Sequence, residues 1–134
     1  MEELKQNFTE LVSISRKLRK ECPWDAEQNI ESFHKYIVEE AIEAQKAAEA
    51  KDYEELKEEL GDVLWNVLFM TNIAQENGLF DINDVLVQAR EKMIRRHPHV
   101  FAGASKEMAD IYKKWDEIKA LEKKDKEKKK SENA

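Results

Sequence analysis

The chain has little of what punctuates a β fold or a disulfide scaffold: one cysteine, two prolines and three glycines in 134 residues. Cys22 alone cannot form an intrachain disulfide, and a reducing cytoplasm is the compartment it fits. So few turn formers, beside abundant Glu, Lys, Ala and Leu, predict an all-α protein. The longest apolar stretch, Val63 to Met70, contains Asn66 and is too short to span a membrane. No basic segment followed by an apolar core stands at Met1–Lys5, so no secretory signal is expected. An excess of positive charge is missing too. At a formal charge of −6, binding to a nucleic acid polymer is not expected, whereas a nucleotide held through metal ions stays open.

What is present is helical periodicity. The spacing of Leu4, Phe8, Leu11 and Leu18 predicts a first helix over 3–20, which the Cys22-Pro23-Trp24-Asp25 segment ends. A second is expected over 30–50. Asp52 followed by Glu55 reads as a capping box opening a third, which runs to about Asn77 with Gly78 as its C′ residue. Beyond Gly61 this third helix is apolar nearly all round, which one small bundle cannot cover, so subunit association is expected. A fourth helix runs from Asp81–Asp84 to Arg96, where His97-Pro98-His99 stops it. A fifth begins near Ser105, with Met108, Ile111, Trp115 and Ile118 on one side. The expected architecture is a four- to five-helix bundle completed by oligomerisation, with a helical domain over 1–121. Residues 122–134 read as a charged, disordered tail.

The chemistry is concentrated in acids at the seam of the second and third helices. Glu39-Glu40-Ala41-Ile42-Glu43 and Glu59-Leu60-Gly61-Asp62 each set acids at i,i+3 on one helical face. Glu40 points toward the stripe Ile30, Phe33, Ile37, Ala41, Ala44, Ala48. Glu59 and Asp62 border the stripe Leu56, Leu60, Val63, Val67, Ala74. Two readings stand: a solvated acidic face, common in a chain that is 39% charged, or a site where four carboxylates meet. A position at the apolar seam, repeated on successive helices, favours the second. Carboxylates gathered there require protons or cations, and oxygen-only ligands select a hard divalent ion, magnesium first.

Lys92 and Arg96 share a face in the last turns of the fourth helix, with Arg95 beside them. Such cations serve as helix-dipole partners, or supply what a phosphate chain needs. Trp24 is read as a hydrophobic plug or part of a ligand wall, and Trp115 as a core residue or a platform for a base. Glu31 and His34 make half of a di-iron signature whose other half is missing, since Glu59 is followed by Asp62 rather than histidine.

Five segments in this order, Cys-Pro-Trp-Asp (22–25), Glu-Glu-x-x-Glu (39–43), Glu-Leu-Gly-Asp (59–62), Arg-Arg-His-Pro-His-Val-Phe (95–101) and Trp-Asp-x-Ile-Lys (115–119), resemble the MazG-type nucleoside triphosphate pyrophosphohydrolases over roughly 20–122. The resemblance implies an all-α, dimeric dUTPase-like fold with an active site completed in a homodimer or dimer of dimers. It implies magnesium (or manganese) ligation by Glu40, Glu43, Glu59 and Asp62, phosphate contacts from Lys92 and Arg96, and nucleotide contact near Trp115 and Lys119. The implied reaction releases pyrophosphate from a nucleoside triphosphate, and both a nucleotide-pool housecleaning role and a signalling role stay open. Glu39, one turn before Glu43, is placed to receive the proton of the attacking water or to orient a ligand. The other class left standing is a helical interaction module that keeps the fold without catalysis.

Overall fold

The computed structural model describes residues 1–133, and among them every regular element is helical. In order they are α1 (Glu2–Glu21), α2 (Pro23–Glu27), α3 (Ile30–Glu49), α4 (Tyr53–Glu76), α5 (Ile82–Arg96), α6 (Pro98–Phe101) and α7 (Met108–Glu132). They divide into two compact units, Met1–Ile82 and Asn83–Ala134. No helix among the described residues is long and apolar enough to cross a membrane.

In the first unit, α3 and α4 make the most extensive helix–helix contact, and α1 packs on α4. The core is Phe33, Phe69 and Ile73, with the Phe33 and Phe69 rings 4.5 Å apart. Two polar bonds, one part-buried and one buried, fix the register of this packing. Asn66 Nδ2 donates to the Tyr36 carbonyl (3.0 Å), and Asn72 Nδ2 to Ser15 Oγ (2.6 Å), so α4 is tied to α3 on one side and to α1 on the other. Each bond satisfies polar groups that would otherwise be buried at a cost of about 1–3 kcal/mol. Arg19 fastens the unit's first corner: Nη1 donates to the carbonyls of Asp25, Ala26 and Gln28, and Nε lies 3.0 Å from Glu76 Oε2.

Local chemistry sets the helix ends. Pro23 occupies the first turn of α2, where its missing N–H costs nothing. Asn29 caps α3 in a reciprocal box with Ser32 that the sequence reading passed over. At α4 half of the expected box forms: Asp52 accepts from the Glu55 N–H (3.2 Å), while the Glu55 carboxyl turns toward Glu59. Gly78 takes φ +71°, the left-handed conformation expected of a C′ glycine.

The buried seam differs from the expected stripes. Leu60 is 54% exposed, Ala41 and Ala48 are exposed, and Glu59 is buried in the position expected of an aliphatic residue. The seam of α4 runs through Glu59, Asn66, Phe69 and Ile73, rotated from the one read through Leu60, Val63 and Val67. A polar residue at 59, 66 and 72 breaks the apolar pattern on the very face that packs.

The second unit holds α5, α6 and α7. Ile118 is its buried aliphatic residue, and Ile111, Trp115 and Glu122 continue the same α7 stripe, each half-buried. His97 stops α5 as expected and packs edge-on against Trp115, 5.1 Å between centroids. The segment expected to be a disordered tail after Leu121 is instead a continuation of α7 to Glu132. Lys123–Asn133 are all exposed, so this extension is held by its own backbone bonds and by Glu122 at its root.

Candidate functional site

Glu40 on α3 and Glu59 and Asp62 on α4 each offer a carboxylate oxygen within 4.8 Å of the others. The arrangement follows from the helices: the packing of α3 on α4 sets Glu40 across the seam from Glu59, and Asp62 is one turn further along α4. Glu59 is 9% exposed, and its Oε2 is buried with no hydrogen-bond partner. Its neighbours are other acids. The hydrogen bond with Glu55 draws the Glu59 carboxyl down, but the bond with Glu40, burial and the charges of Glu40 and Asp62 outweigh it and hold the group above its ordinary value. Glu55 is raised as well, through its hydrogen bond to Glu59 first and then through partial desolvation. A buried acceptor without a donor, ringed by like charges, is an environment that a cation would stabilise.

The residues fit a divalent ion. At bonds of about 2.1 Å, adjacent oxygens around an ion stand roughly 3 Å apart and opposite ones roughly 4 Å, so the three oxygens would draw closer around a shared ion. All donors are oxygen, which suits magnesium, calcium or manganese and disfavours soft transition metals. Glu43 lies outside the convergent group, exposed, with Lys46 Nζ 3.7 Å from its carboxylate. Glu39 is exposed on α3 and also outside the group. Gly61, between the acids Glu59 and Asp62 of α4, faces open space: a Cβ there would meet nothing within 4 Å. Trp24 is half exposed, its ring 5.8 Å from that of Tyr36.

The cations of the second unit form their own cluster. Arg95 and Arg96 both pair with Glu122: Arg95 Nη2 lies 3.0 Å from Oε2 and Arg96 Nη2 2.9 Å from Oε1. The Arg96 guanidinium also stands over the Trp115 ring, 5.5 Å from its centroid. Lys92 is half-buried and shares a cleft of about 370 Å³ with Arg95, Glu122 and Lys126. Lys119 is exposed on α7. Glu122 is the residue the sequence reading missed. Its signal was there, seven residues after Trp115 and four after Ile118 on the packed stripe, but the charged run around it read as solvated.

A domain model described as the MazG nucleotide pyrophosphohydrolase domain matches residues 28–101, more than half of the chain, and includes all three convergent carboxylates. This chain belongs to the MazG family. Among its relatives is a protein from Thermotoga maritima named nucleoside triphosphate pyrophosphohydrolase/pyrophosphatase MazG, 48% identical over 87% of this chain and 45% of the relative. The Escherichia coli K12 nucleoside triphosphate pyrophosphohydrolase is 40% identical over 84% of this chain and 44% of its own length. The chain thus spans less than half of these curated relatives. A crystal structure of a MazG-related protein from Thermotoga maritima superposes with a TM-score of 0.73 at 27% identity, over 84% of this chain and 98% of that one. The all-α MazG fold is therefore the fold of this chain.

Proposed function

We propose that this MazG domain hydrolyses nucleoside triphosphates to the monophosphate and pyrophosphate with magnesium. The observation that carries the reading is the Glu40–Glu59–Asp62 cluster, with a buried carboxylate oxygen that has no donor, inside a domain matching nucleotide pyrophosphohydrolases. Glu40, Glu59 and Asp62 hold the ion, and Glu43, one turn along α3 from Glu40 and only loosely paired, joins them. A magnesium ion held by these carboxylates would supply positive charge to offset that of the triphosphate. Lys92 and Arg96 grip non-bridging phosphate oxygens, the arginine through its planar fork, with Arg95 in support. A water oxygen bonds to phosphorus, the bond joining the α- and β-phosphoryl groups breaks, and pyrophosphate departs. Glu39, exposed beside Glu40, takes the water's proton. Trp115, Lys119 and Trp24 are assigned to the nucleoside end.

The test incubates the protein and magnesium with a panel of canonical and damaged nucleoside triphosphates, then separates pyrophosphate from orthophosphate. Pyrophosphate that disappears in excess chelator is expected. Orthophosphate as the sole product, or equal rates in chelator, contradicts the reading. Absence of turnover across the panel leaves the non-catalytic helical module.

The same proposal includes a homodimer or dimer of dimers working in the cytoplasm on the nucleotide pool. Val38 and Ile42 on α3 and Leu60 and Leu64 on α4 are exposed at i,i+4 spacing, an apolar surface the unit itself leaves uncovered. Light scattering at micromolar concentration should return at least twice 15.8 kDa; a monomer mass refutes this part.

A further inference from the structure

Glu122 is assigned no role by the family's name or by the chemistry above, yet its carboxylate pairs with two arginines. Its side chain is 12% exposed, and that of Arg96 is 17% exposed. Arg96 Nε lies 3.0 Å from Oε1 and 3.3 Å from Oε2, while Nη2 lies 2.9 Å from Oε1. The carboxylate therefore occupies the Nε/Nη2 edge of the guanidinium. Its Oε2 also accepts from Arg95, through Nε at 3.2 Å and Nη2 at 3.0 Å. The Arg96 guanidinium carbon also stands over the Trp115 ring, 5.5 Å from its centroid.

We propose that Glu122 is the positioning residue that holds Arg96 in its phosphate-binding orientation, with the outer Nη1/Nη2 edge directed to the phosphoryl oxygens. The inference rests on the reading of Arg96 as a phosphate contact. An arginine has many rotamers, and fixing one on binding lowers affinity; a carboxylate along one edge of the guanidinium, with the Trp115 ring beside it, restricts it beforehand. One anion between two guanidinium groups leaves a net positive charge, and Lys92 and Lys126 on the adjoining cleft add to it. The pair thus orients the fork without cancelling the field that attracts a polyphosphate. The Arg96 hydrogen bond, with that of Arg95, holds the Glu122 carboxyl below its ordinary value, so it is charged wherever the triphosphate is.

A mutant cycle on the full chain tests this, using one triphosphate from the panel at saturating magnesium. Its members are wild type, Glu122→Gln, Arg96→Ala and the double variant. Glu122→Gln should lower kcat/KM by about tenfold, mainly through KM, and Arg96→Ala by about a hundredfold. In the Arg96→Ala background, Glu122→Gln should cost nothing further. Glu122→Asp, which keeps the charge on a shorter stem, should fall between Gln and wild type. A Glu122→Gln loss that is undiminished without Arg96 overturns the proposal, as does full activity in Glu122→Gln. A lowered KM in Glu122→Gln also overturns it, because the carboxylate would then be a competitor of phosphate. Full activity in Arg96→Ala defeats the phosphate-contact reading itself, a result separable from any behaviour of Glu122. Calorimetric affinity for magnesium pyrophosphate runs the same cycle without turnover, and a wild type that binds none rejects both readings.

Discussion

Glu59 in the first unit and Glu122 in the second both occupy a packed helical stripe where an aliphatic side chain would ordinarily sit, and their surroundings are opposite. Glu122 has two arginines and is held below its ordinary protonation range. Glu59 has three other acids around it, a buried oxygen with no donor, and a carboxyl held above that range. The contrast separates an acid whose charge is satisfied within the chain from one whose charge is not. A carboxylate whose partners are all present is part of the scaffold or of its positioning, and its charge is satisfied before anything binds. A carboxylate that repels its neighbours is destabilising in isolation, and a bound cation would offset that repulsion.

The largest effect that would sharpen this comparison is on turnover. Glu40→Gln combined with Asp62→Asn should reduce pyrophosphate release by about a thousandfold or more, with helical circular dichroism unchanged, because ligand charge is lost at nearly constant volume. Glu3→Gln, on the exposed start of α1, is the control and should keep wild-type rates. Equal losses in both proteins would place the site elsewhere.

The next effect is on stability, with opposite signs in the two units. Glu122→Ala leaves the largely buried Arg96 unpaired and should cost about 1–3 kcal/mol, read by denaturant unfolding in chelator. Glu59→Gln should instead raise the melting temperature in chelator, since it removes a charge that its neighbours oppose. The pH dependence follows from the directions of the shifts. Glu122, held low, contributes stability above the ordinary carboxyl value that is lost as pH falls through its folded value. Glu59 and Glu55, held high, take up protons on folding, so the stability this brings is present at low pH and is lost as pH rises through their folded values. In chelator the advantage of Glu59→Gln over wild type should therefore grow on raising the pH from about 4.5, and the deficit of Glu122→Gln should shrink below it. The same sign for both substitutions would dissolve the comparison.

The smallest effect is at Gly61. With open space where its Cβ would stand, Gly61→Ala should stabilise the metal-free protein by about 1 kcal/mol, as an exposed helical glycine does. If activity also survives, the nucleotide and any second subunit leave that face free; if it is lost while stability rises, one of them approaches the backbone there.

The two carboxylates also show what the sequence could disclose. Helix positions and several ends were legible from local chemistry: the Asp52 cap, the Gly78 reversal and the stop at His97 are decided within a few residues. The Glu40–Glu59–Asp62 convergence was legible because i,i+3 acids recur on two successive helices at an apolar seam. The rotation of α4 was not, because assigning the seam to Leu60 follows hydrophobicity, and the folded unit buries Glu59 there instead. The role of Glu122 was hidden for the same reason: a lysine-rich run looks solvated until its one packed acid meets arginines some 26 residues earlier in the chain. Long-range ion pairs have no local signature, whereas caps do.

The most direct test of the central claim is the melting temperature with and without magnesium, at ionic strength matched with sodium chloride, for wild type and for Glu40→Gln/Asp62→Asn. A cation that binds only the folded form stabilises it by about 2.7 kcal/mol at a hundredfold excess over its dissociation constant. At roughly 2–8 °C per kcal/mol, wild type should rise by several degrees or more. The double variant should melt higher than wild type in chelator and respond little to magnesium. Identical magnesium shifts in the two proteins would show that these acids are a solvated face, and the account would be wrong.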